Sequence, residues 1–198
     1  MNYRIAESSD IAGILDLQEK NLVTNLTDEK KKNGFVTTPF TGEQIHDLIQ
    51  LDGLFVIDGN SKILGYAVAA GWDYFHGRPM FEHMIKLFGR ITYKGIKIDL
   101  KNSFQYGPVC IDFNLRGTDS FPMLFSKMKE EMGDKYEVGT TFINKVNTRS
   151  YFAHTRKAGI EVINEFEFNN NKYYGLAFLT KEKYSRAGQA NDNPNGFQ

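Results

Sequence analysis

Hydrophobic positions change period several times along this chain, and the changes mark out its elements. "YRIA" (residues 3–6) reads as a short strand. Ile11, Ile14, Leu15 and Leu22 then fall at helical spacing, with Ser9 or Asp10 placed to cap the first turn. Thr41 opens a second helix, "GEQIHDLIQL", with Glu43 and Gln44 in its first turn. "LFVID" and "ILGYAVAAG" are strand-like runs flanking Asp58-Gly59-Asn60, a turn that tolerates positive φ, and together they predict a hairpin.

The next segment is less regular. "RPMFEHMIKLFGRI" sets Phe81, Ile85 and Phe88 on one helical face, with Pro79 near its start. "KGIKIDLKNS" reads as irregular or extended. "YGPVCIDFN" (106–114) is a strand with Val109, Ile111 and Phe113 on one side and Cys110, Asp112 and Asn114 on the other. A helix over roughly 119–132 ends at Gly133, a strand covers 136–144, and a helix covers 148–159 up to Gly159. "IEVINEFEF" and "KYYGLAFLT" form a last hairpin around "NNN". The order is β-α-α-β-β-α-β-α-β-α-β-β, a single mixed α/β layered domain over 1–180, and the Gly/Asn-containing tail 181–198 reads as loose.

Composition adds exclusions. The 198 residues carry 24 basic and 24 acidic side chains, so no global field directs the protein to nucleic acid. Aromatics are 14% of the chain, which predicts a core of large rings. The single Cys110 excludes an intrachain disulfide framework and fits a reducing compartment, and it reads as a buried structural thiol. "MNYRIAESSD" has no apolar leader, and no run of about 18 apolar residues occurs, so a cytoplasmic protein away from the membrane is expected. The charged stretch 27–35 reads as a solvated loop. His76 and His83 lack a third ligand, so no metal is expected.

Candidate chemistry gathers at "IDFNLRGTDSFPMLF". A strand running through Arg116-Gly117 into a helix exposes backbone N–H groups that attract phosphate oxygens. Arg116 can add a two-pronged contact and Gly117 allows close approach; alternatively this is an ordinary corner with an exposed arginine. A second pattern follows in "FINKVNTRSYFAHTRKAGIEVI": Asn147, Ser150 and Ala153-His154 enter a helix that closes at Gly159-Ile160.

Together these patterns resemble the GNAT superfamily of acyl-CoA N-acyltransferases. Arg116 and Gly117 match the start of its Arg/Gln-x-x-Gly-x-Gly/Ala loop, and Asn147 and Ser150 match its Asn-x-x-Ser/Ala helix. The likeness in element order covers roughly 1–180. Asp119 and Phe121 stand where the family's loop carries small residues. Phe121 there narrows the approach of a pyrophosphate, and Asp119 repels it unless it points outward or caps the helix.

The resemblance implies a mostly antiparallel mixed sheet with its fourth and fifth strands splayed, helices on both faces, and acetyl-CoA as co-substrate. The pantetheine arm would pair with the fourth strand at Ile111, Asp112 and Phe113, and would meet Asn147 and Ser150. The pyrophosphate would sit on Arg116, Gly117, Thr118, Asp119, Ser120 and Phe121. An amine would attack the thioester directly. For the leaving-group acid, counting along the motif reaches His154 or Thr155, with Tyr151 a nearby phenol; His154 as a structural helix residue is the other reading. Asp112 is either the base or a strand-shaping acceptor. Glu43 and His46 are candidate acceptor contacts. Trp72 and Tyr74, in the aromatic cluster at 72–78, line either an acceptor pocket or extra core or a dimer surface. The acceptor is a small-molecule or peptide amine, and a homodimer is one option. A non-catalytic acyl-CoA sensor is the competing reading.

Overall fold

The period-2 pattern in "LFVID" has a simple physical outcome. Leu54 and Val56 pack on one face of the sheet and Phe55 and Ile57 on the other, all four at 1% exposure or less. A strand buried on both sides needs cover on both sides. The computed structural model describes residues 1–27, 29, 35–36, 39–60 and 62–181. Helix α1 (Ile11–Lys20) and α2 (Gly42–Gln50) cover the first face with Ile14, Leu17, Ile45 and Leu48. Helix α4 (Ser120–Met132) covers the second with Leu124, Phe125, Met128 and Met132. Helix α3 (Pro79–Phe88) adds a third cluster through Met84 and Phe88, around Trp72, Val138 and Ala177.

The seven strands of the sheet are β1 (Asn2–Ile5), β2 (Leu54–Asp58), β3 (Ile63–Ala70), β6 (Ser103–Ile111), β7 (Val138–Asn144), β9 (Asn171–Leu179) and β8 (Glu161–Phe168), in that spatial order. Every neighbouring pair is antiparallel except β6–β7. Strands β4 (Thr92–Tyr93) and β5 (Ile96–Lys97) make a separate ribbon, which resolves the stretch read as irregular or extended. Helix α5 (Thr148–Phe152) runs on as a wider π turn over Ala153–Lys157.

Most expected elements are present, and the differences have local causes. Thr41 caps α2 in a reciprocal box with Gln44, worth about 1 kcal/mol. Asp10 does not cap α1 with its side chain: its carboxylate accepts from the Glu7 N–H at 2.7 Å and pairs with Arg4. Strand β6 starts at Ser103, earlier than its apolar run, and ends at Ile111, because Asp112 begins a tight turn over Phe113–Leu115. A register shift opposite Ala67–Ala69 also breaks the simple alternation along β6. Asp112 and Asn114 therefore do not continue a strand face with Cys110. The charged loop at 27–35 and the tail at 181–198 fall largely outside the described residues. Among the described residues no helix is long and apolar enough to cross a membrane.

Candidate active site

Among the described residues the seven-stranded sheet has one parallel pair, and it is short. β6 and β7 match Ser103 to Val138, Phe104 to Gly139 and Gln105 to Thr140, and then separate. Gly107 and Pro108 follow at the bulge, and proline has no N–H to offer a neighbour. A wedge therefore opens beside the second half of β6. The Asp112 N–H donates to Leu64 O on β3 at 2.8 Å. Amides alternate in direction along a strand, so Cys110 also points to β3 while Val109 and Ile111 point into the wedge. The donors expected at Ile111, Asp112 and Phe113 thus move to Val109 and Ile111, because Asp112 is already satisfied and Phe113 lies in the turn.

The wedge leads to a cavity of about 630 Å3. Ile111, Arg116, Gly117, Thr118, Phe121, Asn147, Ser150 and His154 line it, eight of the residues singled out in the sequence. Its described lining contains Arg116, Arg149, Arg156 and Lys157 and no carboxylate, in a chain whose formal charge is +0. Such a wall attracts anions. Only Arg116 of these cations was singled out beforehand. Arg149 and Arg156 lie seven apart in "TRSYFAHTRK", a spacing of two helical turns that signals a shared face.

The loop at the base of the cavity is built by three devices. Gly117 has φ +91°, a conformation that costs little without a Cβ. The Thr118 hydroxyl accepts the Ser120 N–H at 3.2 Å and so caps α4. Lys157 donates to Gly117 O at 2.7 Å and ties the loop to α5. Asp119 is exposed and makes no side-chain cap, so it points outward as a tolerable acid must. Ser120 is buried with its N–H taken, and Pro122 has none to give. The amides of Gly117, Asp119 and Phe121 accordingly form the usable set, narrower than the run Arg116–Phe121. The Phe121 ring packs on His154, with centroids 4.9 Å apart, and so turns inward.

Arg116 differs from its expected role. Its Nε donates to Ile111 O at 2.9 Å and its terminal nitrogen to Asn21 Oδ1, across to the end of α1. Burial, with Arg149 nearby, draws its pKa below the usual value, though a guanidinium stays charged. Arg116 thus fastens the cavity floor to α1.

His154 is 8% exposed, and its Nδ1 sits 2.7 Å from the Ser150 carbonyl, which requires the proton on Nδ1. Burial lowers its pKa to about 4, against the smaller opposing effect of that hydrogen bond. At neutral pH it is uncharged with an unprotonated Nε2, a poor source of a proton. Cys110, also on the cavity wall, is 3% exposed, and burial pushes its thiol up to about 12. Asn147 caps α5 by accepting the Ser150 N–H at 3.1 Å.

The other candidates stand apart from the cavity lining. Asp112 accepts the Asn114 N–H at 3.0 Å and caps its own turn. Phe113 is exposed beside Arg116. Glu43 and His46 are exposed on α2. Trp72 is core, at 2% exposure, with its indole N–H donating to Ser103 Oγ at 3.1 Å. Tyr74 is half-buried and donates to Gln44 O at 3.2 Å. The aromatic cluster is therefore largely packing. Among the described residues no group of His, Cys, Asp or Glu is arranged to hold a metal.

No family model matches the chain, and no curated protein matches it in sequence. Solved structures do match its backbone. The ribosomal-protein-alanine N-acetyltransferase of Brucella melitensis is 17% identical, with 90% of this chain and 99% of that one covered at TM-score 0.58. The yncA protein of Salmonella typhimurium, solved with its cofactor acetyl-CoA, is 14% identical, with 93% and 96% covered at TM-score 0.59. An acetyltransferase of the GNAT family from Streptococcus pneumoniae is 12% identical, with 90% and 98% covered at TM-score 0.60.

Proposed function

We propose, starting from a chain that has the fold of the GNAT acetyltransferases, that it transfers an acetyl group from acetyl-CoA to a primary amine of a small molecule or peptide. The observation that carries this reading is the wedge between β6 and β7. It opens on a loop with unengaged amides and on a cavity wall that is cationic and, among its described lining, free of carboxylate.

In this reading the diphosphate lies against the amides of Gly117, Asp119 and Phe121. Lys157 and Thr118 hold that loop in shape. The pantetheine arm runs up the wedge beside Val109 and Ile111. A strand N–H donated to the thioester oxygen stabilises the charge that develops there. The amine nitrogen forms a bond to the carbonyl carbon, the C–S bond breaks, one proton leaves nitrogen and one reaches sulfur. Holding the two reactants in line is the chain's main contribution. His154 acts by position, through its neutral ring against Phe121, and no longer as the proton donor. The reducing environment that Cys110 tolerates fits a cytoplasmic setting.

A second reading is an acyl-CoA-binding sensor without turnover. It is favoured by the lack of an ionised acid–base pair in the described lining. Thermal unfolding with acetyl-CoA, CoA and ATP tests binding, since a ligand of the folded state raises the midpoint. A rise with acetyl-CoA and none with ATP is expected. Release of free thiol with a panel of amines then separates enzyme from sensor, and no shift with either CoA species would end both readings.

A further inference from the structure

The cavity reaches both faces of the sheet. Val109, Ile111 and Phe121 pack with the cluster beneath α4, whereas Val36 and Cys110 belong to the cluster beneath α1 and α2. The loop at Gly117 and Thr118 leads into α4, so a cofactor seated on it occupies the α4 side. The α1–α2 side is left for the acceptor nitrogen. Its wall is Phe35, Val36 and Cys110, with Val36 at 6% and Cys110 at 3% exposure. The titratable and charged groups of the described lining are Cys110 on β6, Arg116 in the turn after it, Arg149 on α5, and His154, Arg156 and Lys157 on the π turn.

These walls favour uncharged groups. Burial pushes the Cys110 thiol up to about 12, lowers His154 to about 4 and draws Arg116 below its usual value. An ammonium entering here meets the same loss of solvation, and like charge from the arginines. Cofactor phosphates offset the cations, but they do not return water to the Val36–Cys110 wall. We infer that the acceptor of this site is an amine that is largely uncharged near neutral pH, of which the α-amino group of a peptide is the type, and not a lysine side chain or a polyamine. At pH 7.5 roughly a third of α-amines are neutral, against about one lysine side chain in a thousand. A neutral amine also suits the chemistry. Its nitrogen bonds to the carbonyl carbon, the C–S bond breaks, and the proton that nitrogen sheds is the one that sulfur gains. That exchange balances without an ionised base in the lining. The inference rests on the acyl-transfer reading and narrows its acceptor.

Thiol release from acetyl-CoA by the full chain, with two peptides of one sequence, is the direct test. One peptide carries a free α-amine and an acetylated lysine; the other carries a blocked α-amine and a free lysine. At pH 7.5 the α-amine peptide should show kcat/KM about tenfold higher or more, because its neutral fraction is larger by more than that. Its kcat/KM should rise with pH and level off at the pKa of the peptide's own amine. Phe35→Glu, at the 37% exposed edge of the wall, adds a carboxylate that steadies an ammonium and should shift the ratio toward lysine. Equal or greater activity with the lysine peptide overturns the inference and leaves acyl transfer standing, and that comparison needs no variant to fold. A profile levelling off well below the peptide's own pKa overturns it as well, since an enzyme base would then set the rate. An unchanged ratio in Phe35→Glu overturns the assignment to this wall. Thiol release with other amines and with neither peptide also overturns it. If acetyl-CoA binds and no amine releases thiol, the transfer reading falls and this inference with it.

Discussion

An imidazole tied to a carbonyl through Nδ1 and packed against Phe121 and Tyr106 gains little from a second proton. The consequence for stability follows from linkage. The unfolded chain binds a proton on His154 near pH 6.5, while the folded chain does so only near 4. Between those values the unfolded state holds more protons, so stability rises with pH over that window and is fully present above it. The difference is at most about 3 kcal/mol. His154→Phe should flatten the pH dependence of urea midpoints between 4 and 6.5, and an unchanged slope would contradict it. Arg116→Gln is a second test at this scale. It removes donors from Ile111 O and Asn21, so it should cost roughly 1–3 kcal/mol in stability as well as weaken CoA. Denaturation with full stability would contradict the fastening role. The sequence singled out Arg116 and His154, both of which line the cavity, because motif spacing is local. It hid what each does, because Asn21 lies 95 positions from Arg116 and burial is a property of the packed chain.

Among the elements, the start of α4 is held by one hydroxyl. Thr118→Ala should destabilise the protein by about 1 kcal/mol and loosen the loop, measurable as faster amide exchange at Ser120. Gly139 sits where β6 and β7 still pair, and a Cβ there would fall 2.1 Å from the Phe178 ring. Gly139→Ala should therefore cost about 1–3 kcal/mol by overpacking, seen as a lower urea midpoint. Strands and helices with strong periodicity were legible in the sequence, as with the α2 cap and the β2–β3 hairpin. The short β4–β5 ribbon was not, since two-residue strands carry no period. The alternation from Val109 to Ile111 holds, and it fails from Asp112 on because a turn begins there. For Trp72 the sequence left pocket, core and dimer surface open, because burial of an indole needs a distant partner, here Ser103.

For the molecule as a whole, Cys110 reports on the cavity. A thiol at 3% exposure with its pKa near 12 should resist aromatic disulfide reagents in the folded protein and react on opening. Labelling should accelerate with urea and slow with acetyl-CoA, and rapid labelling of the native chain would contradict the burial. The layered fold was visible in the order of elements, and the splay came from the family resemblance. What no local pattern announced was how short the backbone ladder between the two sides is: three residue pairs between β6 and β7, with the rest of the join made by side chains such as Phe104, Tyr106 and Phe178.

That narrow seam has a consequence for how the protein comes apart. Strands β7, β8 and β9 are contiguous between residues 138 and 179 and pair extensively with one another. We expect them to open as a unit while β1–β2–β3–β6 stays assembled. Native-state hydrogen exchange should then resolve two opening free energies, one for β1–β2–β3–β6 and one for β7–β9–β8, where a seamless sheet would give one.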